Sequence, residues 1–158
     1  MQKTEVHVVA LSNSESSPGN FSLVLEEVQG KRKISLIIGA FEAQSIAIHL
    51  ERMQLLRPLT HDLLKAVIDG LDARLKEVVI HTVVEGVFHA SLVLETKGAA
   101  ERRIDARASD ALALAIRFDC PIYIDETLLE ATHLMPAADR ISLLKGSLAE
   151  YSLEELQA

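Results

Sequence analysis

What most constrains this chain is that its pattern starts over partway along. Ser22-Leu23-Val24-Leu25-Glu26 recurs as Ser91-Leu92-Val93-Leu94-Glu95, and Arg32-Lys33-Ile34 recurs as Arg102-Arg103-Ile104. Glu42-Ala43 followed by Ala47-Ile48 recurs as Asp110-Ala111 followed by Ala115-Ile116, all at an offset of about 70 residues. The local signals around these segments are also alike. Residues 4–12, 21–28 and 32–38 are β-branched, partly alternating runs separated by turn-forming Ser, Pro and Gly, and they read as strands. Residues 41–53 follow, with Ala43, Ile46, Ala47 and Leu50 at helical spacing. After Pro58, Thr60-His61-Asp62 opens a helix over 60–72 whose apolar stripe is Leu63, Leu64, Val67, Ile68 and Leu71. Strands are then expected over 75–84, 88–95 and 101–107, with a tight turn at Glu85-Gly86. A helix apolar nearly all round covers 109–118, a short strand covers 122–124, and a further helix begins near Glu126. The expected fold is α+β: two related β-β-β-α units packed into one domain, with an additional helix at 60–72. Each unit alone would leave a sheet face bare, and pairing would bury it.

Composition narrows the function classes. At 158 residues and 49% hydrophobic, the chain is long enough for one core and too apolar to be disordered. No apolar run approaches the roughly 18–20 residues that cross a bilayer. The opening Met1-Gln2-Lys3-Thr4-Glu5 lacks a signal-peptide layout, and the lone Cys120 allows no internal disulfide, so a cytoplasmic protein is expected. A net charge of −7 argues against wholesale capture of a polyanion; nucleic acid would need a local cationic patch or bound cations.

The polar groups concentrate at helix starts. Thr60 and Ser109 are expected to cap their helices, Asp62 and Asp110 lie in the first turns, and Glu42 opens the helix of the first unit. Capping does not account for His61, or for Arg107 at the positive end of a helix. Arg103, Asp105 and Arg107 alternate along one strand and should share a face. Carboxylates, a histidine and arginines converging there suit phosphodiester hydrolysis: acids hold a divalent cation, the ion activates water, His61 moves the proton and Arg steadies charge. Magnesium or manganese fits a mainly carboxylate set better than zinc.

Arg57-Pro58-Leu59-Thr60-His61-Asp62-Leu63 together with Asp105-Ala106-Arg107-Ala108-Ser109-Asp110-Ala111-Leu112-Ala113-Leu114-Ala115 resembles the bifunctional nuclease (BFN) domain family. Ile38-Gly39-Ala40-Phe41-Glu42-Ala43 and Pro121-Ile122-Tyr123-Ile124 match the same pattern, and the likeness covers roughly residues 4–132. The resemblance implies a DNase or RNase domain, taken as residues 1–135. It points to Glu42, Arg57, Thr60, His61, Asp62, Asp105, Arg107, Ser109 and Asp110 as site residues. His61, Asp62, Asp105 and Asp110 are the catalytic candidates, with Asp62, Asp105 and Asp110 as ligands for Mg²⁺ or Mn²⁺. Arg57, Arg107, Ser109, Glu42 and Thr60 would bind or orient substrate. Ala108 departs from the family, which has Pro there, and His49 replaces a small or apolar residue.

Other candidates carry less. A Ser109–His61–Asp triad lacks a Gly-x-Ser-x-Gly elbow. Cys120 reads as a small core residue, and His7, His81 and His89 have no ligand partner at zinc spacing. Lys31-Arg32-Lys33 and Arg102-Arg103 either hold a nucleic-acid backbone or guard sheet edges. Exposed edges also suggest a homo-oligomer, with a dimer favoured. Residues 136–158 read as a helical tail with a Ser152–Glu155 capping box, the start of a further helical module that could meet a protein partner. The function expected is a metal-assisted nuclease on DNA or RNA. The alternative is a non-catalytic module that recognises a phosphate-bearing ligand or a partner protein.

Overall fold

The computed structural model describes residues 1–134, so the expected tail at 136–158 and its capping box lie outside the described residues. The described chain is mixed α+β, in the order β1 (Lys3–Asn13), β2 (Phe21–Glu27), β3 (Lys33–Ile38), α1 (Ala40–Leu50), α2 (Thr60–Gly70), β4 (Ala73–Val84), β5 (Val87–Thr96), β6 (Arg102–Arg107), α3 (Ala108–Phe118), β7 (Ile122–Asp125) and α4 (Glu126–Leu134). Strand alternation and turn chemistry set the two meanders. Glu85 and Gly86 both take positive φ (52° and 79°), the geometry of a two-residue hairpin turn, and Val84 pairs with Val87 across it.

The sheet is where expectation and structure part. Two units stacked face to face are not what forms. All seven strands make one sheet in the order β3-β2-β1-β7-β4-β5-β6. The meanders β1–β3 and β4–β6 lie side by side, and β7 joins them, antiparallel to β1 and parallel to β4. The bare face is therefore covered by helices rather than by the other sheet. Leu23, Leu25, Ile34, Leu36, Val78, Ile80, Ala90 and Ile124 alternate onto that face and are essentially inaccessible. They pack against Ala43 and Ile46 of α1, Leu112 and Leu114 of α3, and Leu129 of α4. The low side chains of Ala111, Ala113 and Ala115 let α3 lie flat between sheet and neighbours, and all three are fully buried.

α2 departs from its sequence pattern. It packs against α3 and β4, yet only His61 and Ile68 are buried along it. Leu63, Leu64, Val67 and Leu71 face outward. No helix among the described residues is long and apolar enough to cross a membrane.

Candidate active site

Three helices bring the polar residues together because α1 packs on α3 and α2 packs on α3. α3 starts as β6 ends: Arg107 is its N-cap in extended conformation, and Ala108, Ser109 and Asp110 form the first turn. α1 starts in the same way from Gly39, with Glu42 in the equivalent first-turn position. A Cβ on residue 39 would run into the Glu42 carboxylate, so glycine there leaves that carboxylate its place.

Arg107 ties these two helix starts together. Its Nε donates to Asp110 Oδ2 at 2.8 Å and its Nη2 donates to Glu42 Oε1 at 2.9 Å. The other oxygen of Asp110 accepts from His61 Nε2 at 2.9 Å, and His61 Nδ1 lies 2.6 Å from Ser45 Oγ. An ionised carboxylate only accepts, so the Nε2 hydrogen points to Asp110, and in the neutral ring Nδ1 accepts from the Ser45 hydroxyl. Burial alone would raise the Asp110 carboxyl, but hydrogen bonds from Arg107 and His61 outweigh it and hold the group below the usual aspartate range. The result is an ionised acid against a nearly buried imidazole, with the Arg107 side chain 63% exposed beside them.

A second arm runs below. Arg117 is 2% exposed at its side chain, in a helix whose neighbouring residues are almost all apolar. Its Nε donates to Asp62 Oδ1 at 2.8 Å, Nη1 to Ala113 O at 2.9 Å and Nη2 to Ser45 O at 3.1 Å. Asp62 Oδ2 accepts from the Leu59 backbone N–H at 2.9 Å. Its carboxyl is held below the ordinary aspartate value, first by the Arg117 hydrogen bond and then by the Leu59 amide. One network thus runs Glu42–Arg107–Asp110–His61–Ser45–Arg117–Asp62. Beside its lower end is a cavity of about 210 Å³, lined by His49, Met53, Leu55, Arg57, Asp62 and Arg117 among others.

Of the residues expected from sequence, Glu42, His61, Asp62, Arg107 and Asp110 meet in this network, and Arg57 stands at the cavity beside it. Thr60 and Ser109 are not the caps they were expected to be. The N-cap positions belong to Leu59 and Arg107, one and two residues earlier, because those residues carry the extended conformation that precedes the first turn. Arg103, Asp105 and Arg107 alternate with Ile104 and Ala106 along β6, but of the three Arg107 is the one whose side chain joins the network. Ala106 packs against the core, so alternation turns Asp105 to the opposite side of the sheet, where it sits across from Ser91 on the exposed strand β6. Arg107 ends the strand and its side chain reaches the helix starts instead.

This bears on the expected cation site. Both oxygens of Asp62 and both of Asp110 already accept hydrogen bonds from Arg117, Leu59, His61 and Arg107, and Asp105 is on the other face of the sheet. Among the described residues no group of three or more His, Cys, Asp or Glu side chains is arranged to hold a metal ion. The three carboxylates therefore do not fit a shared Mg²⁺ or Mn²⁺.

Two members of the network had escaped notice in the sequence, Ser45 and Arg117. Ser45 sits among Ala43, Ile46 and Ala47 and passes for a small helix residue. Arg117 offered a signal: a charge that follows the apolar run Ala111–Ile116 must find a buried partner or leave the core.

The family model of the bifunctional nuclease domain matches residues 23–136, a span that includes every member of the network. Two uncharacterized proteins of Mycobacterium tuberculosis, MT1877 of strain CDC 1551 / Oshkosh and Rv1829 of strain ATCC 25618 / H37Rv, are each 37% identical over 131 residues. The alignments cover 83% of this chain and 77% of each relative. The chain belongs to the bifunctional nuclease domain family.

Proposed function

We propose that this protein cleaves phosphodiester bonds of DNA or RNA at the surface where α1, α2 and the start of α3 meet. The observation that carries the proposal is the His61–Asp110 contact beside a guanidinium that is mostly open to solvent. A backbone phosphate would dock on the exposed side of Arg107, near the unpaired N–H groups of the α3 first turn, with Ser109 and Thr60 at the margin. Arg57, exposed at the neighbouring cavity, would hold the adjoining phosphate. In the cleavage step water adds to phosphorus as the bond to the leaving oxygen breaks. The water's proton passes to the Asp110–His61 pair, and the protonated pair delivers it to the leaving oxygen. Glu42 and Ser45 orient Arg107 and His61, and Asp62 fixes α2 through Arg117. No step is routed through a cation, because no group of three or more His, Cys, Asp or Glu side chains among the described residues is arranged to hold one.

A second reading is favoured by one observation. His61 has 11% of its side chain exposed and both ring nitrogens occupied. A fully satisfied network of this kind also suits a non-catalytic module that recognises phosphate. The test incubates purified protein with supercoiled plasmid and with RNA, in Mg²⁺, in Mn²⁺ and in EDTA. Under the nuclease reading wild type cleaves, and Asp110→Asn loses about 10²–10⁴-fold in rate, the usual worth of a positioned acid or base. Its thermal melt stays within a few degrees of wild type. Binding without cleavage in any of the three buffers would refute the enzyme and leave the module.

A further inference from the structure

The outward face of α2 is a surface that the proposed chemistry leaves unused. Leu59, Leu63, Val67 and Leu71 recur every four residues and are 37%, 57%, 48% and 72% exposed. Leu64 stands beside them, and Leu56 and Leu55, the latter also on the rim of the cavity beside Arg57, continue the apolar surface at the helix entrance. Residues spaced by four form a ridge along a helix, and the row next to this one is Ala66 and Gly70, both exposed. Gly70 is informative. Its φ is not positive, and a Cβ built on it would meet nothing within 4 Å, so neither backbone conformation nor this chain's own packing calls for glycine. A glycine in the last turn of a helix costs stability relative to alanine, and what it gains is room for something to approach the backbone.

We infer that this face is the interface of a symmetric homodimer, in which the leucine ridge of each α2 enters the Ala66–Gly70 groove of the other. Three arguments favour a second copy. Packing by four-spaced ridges uses the same ridge class on both helices, and that is what two identical helices related by a two-fold axis offer each other. The area is also right. Side chains of this size present on the order of 100–150 Å² each when free, so the seven residues offer roughly 400–600 Å² of apolar surface. A standard specific interface buries about 800 Å² per partner, of which roughly 450–520 Å² is apolar. The charges around the ridge exclude an anionic lipid surface as occupant: Lys65 is paired with Asp69 at 2.7 Å, Asp72 follows, and the chain carries a net charge of −7. The pairing differs from the edge-to-edge association that the strands suggest, and does not involve β3 and β6, the outer strands of the sheet among the described residues.

The test is the mass of the full chain in solution, by light scattering on a sizing column and by sedimentation at tens of micromolar. Wild type is expected at twice 17.3 kDa. Val67→Glu puts a charge on the ridge, and Gly70→Leu fills the groove from a position where an added Cβ meets nothing within 4 Å; each should return the mass to 17.3 kDa with the circular dichroism and melt of a folded protein. A monomeric wild type would overturn the inference, whether the ridge is covered by residues 135–158 or by an unrelated protein. A dimer that survives both substitutions would overturn it as well, placing the contact elsewhere.

Discussion

Removing the Asp62 carboxylate strands a charge inside the molecule, and the cost can be worked from the contacts. Arg117 has 2% of its side chain in contact with solvent and in Asp62→Ala loses its one charged partner among the described residues, keeping there only the carbonyls of Ala113 and Ser45. Breaking a buried ion pair by deleting one member costs about 3–5 kcal/mol. Asp62 itself is 37% exposed, so water can enter the vacated space and recover part of this. Loss of the Leu59 N–H acceptor adds roughly 0.5–1 kcal/mol. The expected net is about 2–3 kcal/mol, which for a chain of this size lowers Tm by roughly 5–10 °C. Adding Arg117→Met should recover part of the loss, because the stranded charge leaves with its partner. Acid supplies an independent readout. The Asp62 carboxyl is depressed in the folded state, so its stabilisation is fully present above the unfolded aspartate value of about 3.9 and is lost as pH falls through the lower folded value. Urea melts of wild type and Asp62→Ala should therefore differ at neutral pH and converge as pH falls through the lowered folded value of Asp62. A Tm change under 2 °C, or a gap that persists in acid, would refute the view that Arg117 depends on this partner.

Two further outcomes follow from placement. Asp105→Asn should cleave at a rate within about twofold of wild type in the plasmid assay, where a loss like that of Asp110→Asn would return Asp105 to the site. Burial pushes the Cys120 thiol up to about 11, so iodoacetamide at pH 8 should label native protein at least tenfold more slowly than protein in urea; equal rates would show the thiol open.

The strand and helix segments were legible because the apolar periods along them are short-range and clean. Leu23, Leu25, Ile34 and Leu36 alternate in sequence and alternate into the core. Residues 57–62 and 105–110 were also legible as one neighbourhood, through the family pattern, and five of the nine residues drawn from it meet in the network. What failed did so for identifiable reasons. The cap positions slipped because side-chain preference names good acceptors such as Thr60 and Ser109, while the backbone angles at Leu59 and Arg107 decide where the helix begins. Asp105 lies away from the network because only Arg107, the last residue of β6, is close enough to the helix starts for its side chain to reach them. The α2 stripe was legible as a stripe, but period does not say which surface supplies its partner. Ser45 and Arg117 were missed because their roles depend on three helices meeting, a long-range fact that no local window contains.

The position of β7 has a consequence for how the molecule comes to exist. This strand of four residues occupies the middle of the sheet although it is made near the end of the described chain, and its pairs with Lys3–Val6 and Val78–Ile80 are what connect the two meanders. During synthesis both hairpin systems emerge before the piece that unites them, so closure must wait until residue 125 has cleared the ribosome. Until then the facing edges of β1 and β4 are open to any passing strand, and a chain stopped before Pro121 would release two half-sheets in place of a nuclease-family domain.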